Sequence, residues 1–281
     1  MSKYLPFEPT GALNLWDHIV ARFTQRRLTY GSDRLPALSG IAKTIYFTGA
    51  LGKYYAGLWE ARLAEGLLWF VDPSITGSDL LPPSPVPMAP SWSWASINGA
   101  WDYRRTNPEL ESLYAADDTL YVTKDGLELS GIGFACKDLS MELHLKRPNV
   151  FGEIELGKIS LSGWVTSAMV QYEATNPDES YAMRFKSQRV NLINRAGTAM
   201  MTSAPFMDFV LDHGENPIPS GSTVECVGIQ PDIQHRDRWH GLVLLPVNDG
   251  NGMVYRRIGK FLGTVGWFSW ATTPLQKLTI I

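Results

Sequence analysis

Side chains able to do chemistry are unevenly spread along this chain, and the densest group lies in PSWSWASINGAWDYRR, residues 90 to 105. Three tryptophans, a tyrosine and two arginines surround one Asn-Gly. Asn98-Gly99 is a strong hairpin signal, because a type I′ turn needs positive φ at both central residues. With those two residues as the loop, Ser96 pairs with Trp101, Trp94 with Tyr103 and Trp92 with Arg105. Directly opposed residues share a face. Trp92, Trp94, Ser96, Trp101, Tyr103 and Arg105 are then expected on one side, with Arg105 placed to lie over Trp92. The other side, with Ser91, Ser93 and Ala95, is small enough for a second backbone to approach. Two uses fit the aromatic face. It is packed core, each buried ring contributing on the order of 2 kcal/mol, or it lines an apolar pocket with Tyr103 and Arg105 as polar handles.

His240 follows Trp239 and opens the run GLVLLPV. It is a candidate general acid or base, or else a strand-end histidine held by backbone. His235 and His240 are five apart, a spacing that suits neither one helix face nor one strand face, so no metal site is expected there. His18 belongs on the surface of a first helix, and His144 and His213 have no suitable neighbours in sequence. Trp267, in WFSW, lies in a segment with large aromatics on both faces, which implies cover on both sides. Nucleophile elbow, Walker A, G-x-G-x-x-G and C-x-x-C motifs are all absent, and no cofactor is expected.

These groups need elements to position them. Trp16, Ile19, Val20 and Phe23 follow the spacing of an amphipathic helix. Ser32-Asp33 are placed to cap a second helix striped by Leu35, Leu38, Ile41, Ala42 and Ile45, which Gly49 and Gly52 end. A third helix is expected from about Tyr55, with Leu58, Trp59, Arg62, Leu63 and Leu67 on successive turns. Residues 72–90 hold six prolines and read as an extended connector. Short strands follow: LYVTKDGLELSGIGF with its Asp-Gly, KISLSGWVTSAMVQYE, YAMRFKSQRVNLI, STVECVGIQ, GLVLLPV, MVYRRIGKFLGTV and LQKLTII. Strands in succession without alternating helices imply antiparallel pairing. The expected class is α+β, with N-terminal helices packed on a large, mostly antiparallel β-barrel or sandwich. The helical part covers 1–71, the connector 72–90 and the β-domain 91–281, all in one folded unit.

Composition narrows the function. The chain has 281 residues, 44% apolar and 19% charged, with a formal net charge of −3. That is enough apolar sequence for a sizeable core and no general pull toward nucleic acid or anionic membrane. The arginine pairs are short and scattered, as on a solvated surface. Cys136 and Cys226 sit in apolar contexts and read as buried free thiols. No run approaches a membrane span or a signal peptide, and no Asn-X-Ser/Thr acceptor occurs. A reduced, cytoplasmic location is expected.

The succession WDHIVARFTQRRLTYGSDRLPALSGIA, YYAGLWEARLAEGLLW, APSWSWASINGAW, GLVLLPV and YRRIGKF resembles the region downstream of the signalling domain in fungal heterokaryon-incompatibility (HET) proteins. The resemblance covers nearly the whole chain, and DRLPALSGIA together with PSWSWAS is its specific part. Only about fifteen residues precede Trp16, where that family carries its signalling domain. The start MSK implies a natural stand-alone copy. The family's shared region implies no catalytic residue. The chain also looks similar to the hetero-Diels–Alder cyclases of fungal tropolone–sesquiterpene pathways.

Two functions follow as expectations. In the first, the chain is a cofactor-independent cyclase of secondary metabolism that joins apolar small molecules, such as a tropolone quinone methide and a sesquiterpene alkene. Such chemistry needs a dry aromatic cavity that fixes the partners, together with donors on a carbonyl oxygen. Trp92, Trp94, Trp101 and Trp267 would form its walls, Tyr103 and Arg105 its donors, and His240 its acid or base. In the second, the chain is a non-catalytic interaction or ligand-sensing domain. A closed cavity beneath the aromatic platform would mark the first. A filled platform and an exposed apolar patch would mark the second.

Overall fold

A computed structural model of the chain describes residues 9–26, 28–71, 89–97, 101–102, 136–172, 190–193, 206–207, 218–231, 238–264 and 274–281. Helix α1 spans Pro9–Thr24 and α2 spans Arg34–Thr48. The expected stripes are the ones that pack: Trp16 and Val20 of α1 and Leu35, Leu38, Ala42 and Ile45 of α2 are buried, while Ile41 turns outward. Gly49 ends α2 in the left-handed conformation that a residue with a Cβ adopts only at a cost. Asp33 stands at the start of α2 without a side-chain capping bond, because a 3-10 turn over Gly31–Asp33 runs directly into the helix.

The third helix is corrected. Strands β1 (Tyr54–Tyr55) and β2 (Leu58–Trp59) form a tight hairpin in its place. A 3-10 turn over Glu60–Arg62 and one helical turn, α3 (Leu63–Gly66), are all that remain of it. Ala56 and Gly57 both take positive φ, 47° and 97°, as a two-residue type I′ loop requires. Tyr54 and Trp59 then meet Trp16 edge-on, at 5.8 and 5.7 Å between ring centroids, so ring packing overrides the helical periodicity. A part-buried Arg62–Asp17 ion pair ties the 3-10 turn after this hairpin to α1.

Two short strands follow, β3 (Phe70–Val71) and β4 (Trp101–Asp102), and they pair with each other. The large sheet contains β5 (Cys136–Leu145), β6 (Ile154–Gly163), β7 (Val165–Tyr172), β8 (Val190–Ile193), β9 (Phe206–Met207), β10 (Thr223–Pro231), β11 (Arg238–Asn248), β12 (Met253–Thr264) and β13 (Gln276–Ile280). Its order is β5-β6-β13-β12-β11-β10-β7-β8, with β9 added at β12. Every described pairing is antiparallel except β12 with β13, so the sheet is mixed and mostly antiparallel. One run of chain interrupted only at Trp164 supplies β6 toward one end of this order and β7 toward the other. Strand β5 was not expected, although Ser-Met-Glu-Leu-His-Leu over 140–145 alternates polar and apolar residues.

Helices and sheet share one core. Trp16, Val20, Leu38 and Ile45 pack in one cluster with Ile159, Leu161, Leu242, Leu278 and Ile280. A second cluster, with Val170, Val224, Cys226, Val243, Ile258 and Phe261, lies on the opposite face of the sheet. The Asp-Gly hairpin, the loop of Asn98-Gly99 and all of the Pro-rich connector except Ala89-Pro90 lie outside the described residues.

Candidate functional site

The aromatic stretch is built differently from the expected hairpin. Residues 91–93 turn, and Trp94–Ser96 form a 3-10 turn capped by Ser93: its Oγ accepts from the Ala95 N–H at 3.1 Å. A serine that bonds the local backbone competes with a strand ladder, and here it wins. Trp101–Asp102 pairs with Phe70–Val71, so the expected pairing of Ser96 with Trp101 is not made. Trp92 and Trp94 therefore lie in turns and not in a strand.

Four of the described indoles here donate to backbone carbonyls. Trp92 Nε1 donates to Gly157 at 3.3 Å, Trp69 Nε1 to Trp92 at 2.8 Å, and Trp94 and Trp16 both donate to Gly57, at 3.1 and 3.0 Å. Trp69 and Trp92 are 0% exposed and Trp94 1%, so these rings are core. The small residues between them let other chain segments come close, as the sequence implied. Ser93 Oγ donates to the Ala56 carbonyl at 2.6 Å, and the Ser91 N–H donates to the Ile281 carbonyl at 3.1 Å. PSWSW is thus a clasp that joins the β1–β2 turn, the sheet and the chain end.

A second group of polar side chains gathers on the core side of β11 and β12. In their register His240 opposes Leu262, and Leu242 opposes Lys260. His240 and Lys260 are therefore diagonal neighbours on one face. A bulge between Val243 and Leu244 brings Arg257 onto the same face. All three are buried, Arg257 and Lys260 at 2% exposure. Arg257 lies 3.4 Å above the centre of the Trp69 ring and donates to the Trp69 carbonyl, while Lys260 Nζ is 5.5 Å from the centre of the Phe70 ring. Burial, with the Lys260 charge adding to it, holds the His240 imidazole well below its ordinary pKa of 6.5, so it is neutral at pH 7.

Of the expected site residues, the structure brings His240 and the β3–β4 pair to one region, since Phe70 faces Lys260 and opposes Asp102. Trp92 and Trp94 go to the clasp instead. The Trp101 backbone is in β4; Tyr103, Arg105 and Trp267 lie outside the described residues. Sequence reasoning missed Arg257, Lys260, Trp69 and Phe70. Basic residues in a strand of otherwise apolar alternation, YRRIGKFL, were the available signal. His18 is exposed. His144, also exposed, pairs with Glu142 at 2.8 Å, a partner two residues away on the same strand that the sequence reading overlooked. Cys136 and Cys226 are buried free thiols; burial pushes Cys136 up to about 12 and raises Cys226 as well, so neither is a reactive thiolate at neutral pH.

Among the described residues no three His, Cys, Asp or Glu side chains are grouped to hold a metal ion, and no helix is long and apolar enough to cross a membrane. Compared with family models, curated proteins and solved structures, the chain matches none.

Proposed function

We propose that this chain is a non-catalytic interaction or ligand-sensing domain, related to the region downstream of the signalling domain in fungal heterokaryon-incompatibility proteins. The observation that supports it is the solid packing of the aromatic clasp. Trp69, Trp92 and Trp94 present neither a ring face nor an indole donor to a ligand. Apolar surface is instead offered at the end of α2. Phe47 is 73% exposed, Tyr46 is beside it, and the Tyr46 ring touches that of Phe151 next to the exposed Val150. Exposed aromatic clusters of this kind mark docking surfaces. In this reading the sheet is rolled toward an open barrel by the β6–β7 run, and the protein is cytoplasmic.

A second reading has one observation of its own. The neutral His240, with Lys260 and Arg257 against Trp69 and Phe70, resembles the water-poor donor set that would polarise a carbonyl oxygen. That supports a cofactor-independent hetero-Diels–Alder cyclase acting on apolar partners such as a tropolone quinone methide and a sesquiterpene alkene. Tyr103 and Arg105, which follow β4, would add donors, and Trp101 and Trp267 would add walls.

One pair of measurements separates the two. A hydrophobic-surface dye is expected to bind the native chain, and Phe47→Asp to lower its fluorescence severalfold without moving the thermal midpoint. Undiminished dye binding in that variant removes the docking surface. Mixed with a tropolone quinone-methide precursor and a humulene-type alkene, the protein is expected to leave product rate and stereochemistry as they are in buffer. Acceleration with stereocontrol overturns the non-catalytic reading in favour of the cyclase.

A further inference from the structure

Across the sheet from the indole core, the outer face of β5, β6 and β13 carries an ordered polar surface. Register places Ser140 opposite Ser160 and Ser160 opposite Thr279, so three hydroxyl side chains form one row over three strands. Ser160 Oγ and Thr279 Oγ1 are 3.2 Å apart. In the neighbouring row Glu142 opposes Lys158. Hydrogen bonding by His144 holds the Glu142 carboxyl below its ordinary pKa, and the Lys158 charge adds to this, so Glu142 stays an acceptor at neutral pH.

The β11–β12 loop stands over these rows and is shaped to do so. Asn248 Oδ1 accepts from the Gly250 N–H and Asp249 Oδ1 from the Asn251 N–H, each at 2.9 Å, while Gly250 and Gly252 take φ of 89° and 151°. That fold leaves Asp249 Oδ2 directed at Lys158 Nζ, 3.7 Å away. The separation is too long for a hydrogen bond, and a bridging hydroxyl can serve both groups. Between loop and strands lies an open groove of about 360 Å³, within the size range of small-molecule sites. Asn251 also lines it, and Met253, 61% exposed, adds an apolar surface on the loop side.

The lining selects a ligand class. Hydroxyls both donate and accept, carboxylates only accept, and an ammonium only donates. An anion entering the groove meets two carboxylates, Glu142 and Asp249; a cation finds Glu142 already hydrogen-bonded to His144 and Asp249 already beside Lys158; and a hydrocarbon takes water from the polar lining without replacing its hydrogen bonds. A molecule whose own groups are hydroxyls satisfies all of them. We propose that this groove binds a neutral polyhydroxylated ligand, a short saccharide, across the Ser140–Ser160–Thr279 row, with its hydroxyls bridging Lys158 and Asp249. This deepens the ligand-sensing side of the proposed function and rests on it, and its residues are separate from Phe47 and from the His240 group.

Calorimetric titration of the full chain with maltotriose, cellotriose and triacetylchitotriose tests the proposal. At least one is expected to bind, and Ser160→Val and Asp249→Ala are each expected to weaken it about tenfold or more. Valine keeps the β-propensity of position 160, and circular dichroism checks that both variants fold. Phe47→Asp is expected to leave saccharide affinity unchanged, so a failure of the docking surface does not register here. Three outcomes overturn the proposal: no heat with any of the three at about 10 mM, an affinity unchanged in both groove variants, or tighter binding of glucose 6-phosphate than of glucose.

Discussion

Gly57→Ala is expected to destabilise the protein by about 4 kcal/mol or more, while Gly49→Ala, also at positive φ, is expected to cost only about 1 kcal/mol. The backbone penalty is common to both, since Gly49 takes φ 73° and Gly57 φ 97°. The surroundings differ. A Cβ at Gly49 meets nothing within 4 Å, whereas one at Gly57 strikes Trp94 Nε1 and comes within 2.7 Å of its Cε2. Trp94 is 1% exposed and has nowhere to go. Displacing it breaks its bond to the Gly57 carbonyl and disturbs the Trp16 bond to the same oxygen. A loss of that size is a large part of the 5–15 kcal/mol that typically holds a domain together. Urea unfolding followed by tryptophan fluorescence measures it. If the cause is the steric clash, Trp94→Leu is worth less in the Gly57→Ala background than in the native chain, and the two losses are strongly non-additive. Additive losses, or equal costs at Gly49 and Gly57, would show that the clasp does not carry this stability.

The same residues explain what could be read from the chain and what could not. Helices α1 and α2 and strands β10 to β13 were legible because burial follows a local period, as Trp16–Val20 and the run GLVLLPV show. The Ala56–Gly57 hairpin was hidden because alanine rarely takes positive φ, and the strain there is held by contacts from residue 93. Trp92 and Trp94 looked like a ladder because they are two apart. Their partners are carbonyls 65 and 37 residues away, and no local pattern reports those. Lys260 and Arg257 share the core face only through a bulge, which shifts the alternation by one residue and conceals their proximity to His240. The groove was missed for another reason. It depends on β13 and the β11–β12 loop meeting β5 and β6 from about a hundred residues away, and on β5, whose alternation is visible in the sequence but was not read as a strand.

Acid is expected to destabilise the protein through His240, and the effect should vanish in His240→Gln. The native imidazole is held neutral by burial beside Lys260, so its folded pKa lies well below 6.5. In the unfolded chain it protonates near 6.5. Above that value both states carry the same proton count and His240 contributes no slope. Below it the unfolded state binds the extra proton, so stability present above pH 6.5 is lost as pH falls toward the folded pKa. Between the two pKa values the slope approaches about 1.4 kcal/mol per pH unit. Glu65 acts in the other direction. Burial raises its pKa, so its unfavourable contribution is present at neutral pH and recedes as pH falls toward the ordinary carboxyl value. Both chains contain Glu65, so the difference in unfolding free energy between native and His240→Gln isolates the histidine. Urea unfolding at pH 7.5, 6.5, 5.5 and 4.5 is the measurement. A difference that stays constant over that range means His240 titrates alike in both states, which would deny the buried, neutral imidazole on which the cyclase reading depends. A native-minus-variant stability that falls with pH establishes an imidazole kept neutral by burial beside Lys260.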